Sequence, residues 1–315
     1  MKIVRYTHPV SNSSDLAFAC NGKLYPIADV ERALSGESFD TSGVEARWGG
    51  IVEHIFNNVQ RYEKYYKELS GNAAALSLVK ALDADSVSYE PPISYRNKLL
   101  CVGKNYATHL EELKRTNLIK ELPTEPTGFV KINDSLVGHG AKISKPESVT
   151  QLDYEPELVF VLGKGGMNIT EEAALSHVLG ITLLNDLTCR ETQLKEVQSG
   201  TRFWTAKNAP GFGPLGPCIV SMAEIKDPYN LWVSCSVNGE ERMRVNTSEQ
   251  IWKITKILAH FSRLVPLNPG DMFSTGAPGG VAVGQPNSEA LFLKSGDTVT
   301  CSIDELKLDL VNQIR

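Results

Sequence analysis

The sequence predicts an α+β protein, mainly β, in which a small N-terminal α+β unit (1–92) precedes a larger strand-rich domain (93–315). Three observations predict it. A hairpin-then-helix pattern is confined to the first part of the chain, a proline-rich break follows, and beyond the break short apolar runs alternate with Gly, Pro and Asn-Gly.

The N-terminal unit opens with "KIVRY", then "LAFAC" and "KLYPI" joined through Asn21-Gly22, the dipeptide that favours a two-residue hairpin turn. From about Val44 to Leu82 the period becomes helical, with Ile51, Val52, Ile55, Phe56 and Val59 on one stripe. "YEPPISYRNK" interrupts both periods, because Pro91 and Pro92 supply no backbone donors and bias their neighbours to extended forms. The boundary belongs there. Strand-like runs then dominate, among them "LLCVG", "GFVKI", "ELVFVLG", "LGITLLN", "CIVSM", "LWVSCSV", "DMFST" and "DTVTCSI". Helices are expected at "YATHLEELKR", "TEEAALSHVLG" and "SEQIWKITKILAHFS", the last opening at Thr247 or Ser248 with Glu249 in its first turn.

At 315 residues with 42 % hydrophobic side chains the chain can bury a real core. A net charge of -5, with Lys and Arg scattered among acids, leaves no basic face for nucleic acid or an anionic membrane. No apolar run spans a bilayer and no secretory h-region opens the chain, so a soluble, cytoplasmic protein is expected. The six cysteines form no CxxC pair and read as buried free thiols rather than zinc ligands.

"LDYEPELVFVLGK" carries the first chemical signal. On one continuous strand Asp153, Glu155 and Glu157 would share a face, and carboxylates two residues apart, about 6–7 Å, repel by roughly 2–3 kcal/mol at an effective dielectric near 20. A hard divalent cation would offset that, and Asp186, after the apolar run "GITLL", is a third candidate oxygen ligand. A solvated edge is the competing reading of the two glutamates, favoured by Pro156. His109 and Glu112 at i, i+3 share a helix face, as a carboxylate orienting an imidazole base or as part of a solvated surface. Lys207 stands between the aromatic pair Phe203–Trp204 and a Gly/Pro-rich loop, suited to meet an anion in a cleft. "STGAPGGVAVG" lacks both dinucleotide and Walker patterns and reads as bare backbone approaching a ligand.

Taken in order, "CVGKNYATH", "GFVKINDSLVGHG", "LDYEPELVFVLGK", "GITLLNDLTCRETQ", "TAKN", "VNGE" and "PGDMFSTGAPGGV" resemble the fumarylacetoacetate hydrolase family from about Lys98 to the C-terminus. The resemblance implies a mixed β-roll catalytic domain, a homodimer and one divalent metal, Mg2+ first and Mn2+ or Ca2+ as alternatives, held by Glu155, Glu157 and Asp186. It implies His109, Glu112 and Lys207 as catalytic residues, with His109 and Glu112 on a lid, and Arg190, Gln193, Lys131, Thr275, Gly276 and Ala277 as substrate-binding residues. The expected activity is hydrolysis of a carbon-carbon bond in an acylpyruvate-type oxo-acid by water activated at His109. The alternatives are an oxo-acid decarboxylase or isomerase acting on an oxaloacetate-like substrate, and a non-catalytic metal-binding relative. Two departures stand out: Ala277 replaces the family's usual Thr, and "KRTNLIKELPTEPT" lengthens the lid segment.

Overall fold

Strand Pro156–Leu162 is buried throughout, and that decides how the chain is layered. Successive side chains alternate faces, so Leu158, Phe160 and Leu162 enter one buried cluster while Val159 and Val161 enter another. A strand buried on both sides needs a cover on both. The computed structural model, which describes all residues except 38, 72–76, 116–123 and 201–204, supplies two. On one face a five-stranded sheet, in the order Glu240–Asn246, Trp232–Val237, Thr298–Ile303, Leu308–Ile314 and Lys142–Ile143, contributes Val233, Cys235, Val299, Cys301 and Leu310. On the other face helices Val44–Asn57 and Val59–Gly71 contribute Trp48, Ile51, Val52, Ile55 and Tyr62.

The strand between them belongs to a 12-stranded sheet whose centre runs Gly213–Ser221, Val178–Asn185, Pro156–Leu162, Met272–Ser274, Leu99–Gly103 and Thr127–Lys131. The architecture is mixed and mostly sheet. The N-terminal hairpin, Ser14–Cys20 with Lys23–Pro26, turns at Asn21 and Gly22, both with positive φ (49° and 73°), as the dipeptide predicts. Strand Lys2–Thr7 pairs with Gly213–Ser221, so the N-terminal strands extend the sheet of the larger unit rather than forming a sheet of their own. All six cysteines are buried free thiols. No helix among the described residues is long and apolar enough to cross a membrane.

Trp48 fastens the N-terminal helices to this sheet: its indole N–H reaches the Gly270 carbonyl at 3.4 Å. Gly270 has φ +84°, and a Cβ there would lie 2.5 Å from the indole ring. Gly270→Ala is therefore expected to cost about 2 kcal/mol or more, from left-handed backbone and overpacking together. Urea unfolding measures this directly, and an unchanged midpoint would contradict the close approach.

Two helix expectations need correction. "TEEAALSHVLG" is α-helical only over Glu171–Ala174 and 3₁₀-helical over Leu175–His177, because Val178 already begins a central strand. At Thr247–Glu249 there is only a 3₁₀ turn, and the α-helix itself begins at Ile254. Asn105 takes both backbone groups of Trp252, accepting from its N–H at 2.7 Å and donating to its carbonyl at 3.0 Å, while the Ile251 N–H donates to the Asn105 carbonyl. Those groups are lost to an earlier helical turn.

Candidate metal centre and active site

Strand pairing brings the acids together. Pro156 pairs with Asn185 in antiparallel register, so Glu155, at the entry to one strand, meets Asp186, at the exit of the next. The Asp186 N–H donates to the Glu155 carbonyl at 2.8 Å, and the Asn185 side chain accepts from the Glu155 N–H at 2.9 Å. Glu157 lies on the same strand. One carboxylate oxygen each from Glu155, Glu157 and Asp186 lies within 4.8 Å of the others, and all three residues are buried.

Buried charge of one sign must be neutralised. Lys207 Nζ stands 2.5 Å from Glu155 Oε2, 2.6 Å from Asp186 Oδ2 and 2.7 Å from Thr188 Oγ1, with the Phe129 ring centroid 5.5 Å away. Lys131 Nζ donates to Asp186 Oδ1 at 2.6 Å and to the carbonyls of Phe212 and Lys207, which uses all three of its protons. Arg190 Nε donates to Asp153 Oδ2 at 2.8 Å, its Nη2 forms an ion pair with Glu155 Oε1 at 2.7 Å, and its Nη1 donates to Gln193 Oε1 at 2.9 Å. Burial works to raise the Glu155 carboxyl, but Lys207 and Arg190 outweigh it and hold the group at about 2.

Glu157 is different. Ser274 Oγ donates to it, and no cation among the described residues lies within ion-pair reach. Burial first, and then Asp186 and Glu155, push its carboxyl well above the usual range. Among the described residues, three cations, Lys131, Arg190 and Lys207, are ion-paired to Asp153, Glu155 and Asp186, and the buried carboxylate left without such a pair, Glu157, belongs to the trio whose oxygens converge. An all-oxygen donor set with a missing positive charge fits a hard divalent cation.

Lys131 is 1 % exposed, and truncating it would leave the Asp186 carboxylate and two carbonyls short of donors. Lys131→Met is expected to destabilise the protein by about 3–5 kcal/mol, the cost typical of breaking a buried pair from one side. A loss under about 1 kcal/mol in denaturant unfolding would show the pair to be dispensable.

Across from the carboxylates, helix Ala107–Arg115 presents His109 and Glu112, both buried. His109 Nδ1 lies 3.2 Å from Glu112 Oε2, and Glu112 Oε1 accepts the Gly280 N–H at 2.8 Å. The space between helix and carboxylates is about 30 Å³ and is lined by Val102, Lys104, His109, Phe129, Glu155, Glu157, Asp186, Gln193, Lys207 and Ala277 among others. That volume admits a water or two.

Of the residues singled out from sequence, His109, Glu155, Glu157, Asp186, Gln193, Lys207 and Ala277 line one space, with Glu112 directly behind His109. Lys131, Arg190, Thr275 and Gly276 do not line it. Lys131 and Arg190 stand behind the acids. Thr275 spends its hydroxyl and N–H on the Leu158 carbonyl, and Gly276 is pressed against Val102, where a Cβ would meet the carbonyl oxygen at 2.5 Å. The row of acids is also not one strand: Leu152–Asp153 pairs with Thr188–Cys189, the strand is interrupted at 154–155, and of the row only Glu155 and Glu157 contribute to the converging oxygens. The glycine loop packs on protein, not on open space, since Gly279 and Gly284 abut the His109 helix and Gly280 abuts Met243. Lys104 and Phe129 line the space without having been singled out; Lys104 carries a signal in its positive φ of 63°, which only the fold displays. Phe203, Trp204 and most of the long lid insertion lie outside the described residues.

A sheet-borne site of three buried carboxylates under a His-Glu helix is a donor set that could hold a divalent metal, in a mixed, mostly-sheet fold. The chain belongs to the fumarylacetoacetate hydrolase family: the family model described as fumarylacetoacetate (FAA) hydrolase C-terminal matches residues 98–315. It is 39 % identical over 243 residues to a protein named oxaloacetate tautomerase fahd2, mitochondrial, from Xenopus laevis, covering 75 % of this chain and 73 % of that one. It is 37 % identical to the fumarylacetoacetate hydrolase domain-containing protein 2 homolog of Dictyostelium discoideum, covering 100 % of this chain and 97 % of the relative. Among solved structures it is similar to fumarylpyruvate hydrolase from Pseudomonas aeruginosa in complex with Mn2+ and pyruvate, with a TM-score of 0.61 and 28 % identity over 69 % of this chain and 89 % of that one.

Proposed function

We propose that the protein is a divalent-metal-dependent oxo-acid tautomerase acting on an oxaloacetate-like substrate. The observation that carries the reading is the buried His109–Glu112 pair facing the three carboxylates across a small space of about 30 Å³. Tautomerisation needs a proton carrier and no water as a reactant. Hydrolysis needs an additional placed water. The tautomerase named among the relatives supports the isomerase alternative over carbon-carbon hydrolysis.

Glu155, Glu157 and Asp186 would hold the ion, Mg2+ or Mn2+. Bound there, such an ion would supply Lewis-acid polarisation to a 2-oxo acid. Glu112 accepts from Nδ1–H of His109, which fixes the tautomer and leaves Nε2 to take the enol O–H proton and return it to the substrate's C3, or the reverse. Lys207, charged and held by Glu155 and Asp186, adds positive potential beside the enolate oxygen. Gln193 and Ala277 border the same space, and Ala277 offers no hydroxyl there. Lys131, Arg190, Thr275 and Gly276 act by support, holding ligands and loop.

The second reading is acylpyruvate hydrolysis, favoured by the structural similarity to a fumarylpyruvate hydrolase that binds Mn2+ and pyruvate. One panel separates them: enolic oxaloacetate, fumarylpyruvate and acylpyruvates with Mg2+ or Mn2+, following enol absorbance, CO2 and acid fragments. Faster enol loss from oxaloacetate without CO2 is the expected result. CO2 release would assign a decarboxylase, two fragments from an acylpyruvate a hydrolase, and no acceleration would remove the tautomerase reading. A homodimer, a cytoplasmic location and a division of the chain at 92/93 belong to the same proposal. Light scattering, fractionation and limited proteolysis address them in turn.

A further inference from the structure

The His109 helix rests on two walls from distant parts of the chain. Leu110 packs on Val283 of the glycine loop and on Leu194 of helix Arg190–Gln198. On the loop side the contact is close because side chains are missing: a Cβ at Gly284 would lie 2.4 Å from Glu112 Cδ, and one at Gly279 would lie 2.8 Å from Thr108 Cβ. Asp153 holds the two walls together. Its Oδ1 accepts the Ala282 N–H at 2.9 Å, and its Oδ2 accepts both the Val283 N–H at 3.0 Å and Arg190 Nε at 2.8 Å. Arg190 continues to Glu155 through the 2.7 Å ion pair. Asp153 itself is fully buried and does not border the open space.

We infer that Asp153 is a positioning residue that couples the three-carboxylate site to the seat of the His109 helix. A shift of Glu155 when an ion binds is carried by Arg190 to Asp153, and from there to the loop that receives Glu112 through the Gly280 N–H. Both oxygens of Asp153 are committed to three donors, so asparagine, with one acceptor oxygen and no charge, cannot reproduce the link. This rests on the cation reading above. Coupling of this kind is reciprocal, so whatever unseats the helix must also weaken the ion.

Two substitutions in the full chain, singly and combined, test it, read by Mn2+ titration and by amide hydrogen exchange over residues 107–112. Gly284→Ala crowds Glu112 without touching a carboxylate of the trio, and is expected to weaken Mn2+ binding by roughly 5-fold or more, within the usual range of such couplings. In wild type, Mn2+ should slow exchange in the helix; in Asp153→Asn it should bind yet leave exchange unchanged, and adding Gly284→Ala there should alter Mn2+ affinity less than about 2-fold. Wild-type Mn2+ affinity in Gly284→Ala, or full Mn2+ protection of the helix in Asp153→Asn, would overturn the coupling. If Asp153→Asn does not fold, the Gly284→Ala titration decides alone. A wild-type protein that binds no Mn2+ overturns the cation reading and the coupling together, whereas binding indifferent to Gly284→Ala overturns the coupling only.

Discussion

His109→Ala is expected to lower kcat on enolic oxaloacetate by about 10²–10⁴-fold, the usual contribution of a positioned proton carrier. Mn2+ affinity should stay near wild type, because the ion's three candidate ligands reach one another without His109. The two measurements together are diagnostic. Near-normal turnover would remove His109 as the carrier of the proton at C3. Loss of metal along with activity would mean instead that the imidazole is a ligand, which its pairing with Glu112 argues against.

The second large effect has opposite signs on function and stability. Glu157→Gln should weaken Mn2+ by more than the roughly 10–100-fold that loss of an outer-shell partner costs, since a ligand itself is removed. In the metal-free protein it should raise Tm, by about 2–4 °C for each kcal/mol recovered. The reason is the position of Glu157: buried, beside two other carboxylates and without a cation of its own among the described residues. An amide keeps the shape and removes the repulsion. If the metal-free variant melts lower, Glu157 is stabilising the apo fold and the argument for a missing positive charge fails. If Mn2+ binds it as tightly as wild type, the ion sits elsewhere.

Much of the site was legible before any fold was drawn, and for a physical reason. Glu155 and Glu157 are two residues apart on one strand, and His109 and Glu112 are three apart on one helix; such pairs meet through local geometry alone. Asp186 could be named because a polar residue directly after a buried strand sits at its end. Asp153 was visible in the same row, yet its role was not, because its direction depends on a break between two short strands and on amides of a loop some 130 residues later. Thr275 matched a binding motif and is spent on the Leu158 carbonyl, which depends on how strand Met272–Ser274 registers against Pro156–Leu162. The start of helix Ile254–Phe261 was likewise misplaced because Asn105, far away in sequence, captures Trp252.

By itself the sequence determined the strand-rich class, the hairpin at Asn21-Gly22 and the pairs of chemical groups that adjacent backbone positions throw together. The tertiary structure alone decided which charges answer one another. Lys131, Arg190 and Lys207 reach their acids across 21 to 55 residues of chain, and among the described residues Glu157 is left without an ion pair. Period and propensity act over a few residues. Neutralising a buried charge is a condition on everything within a few ångströms, whatever its place in the sequence.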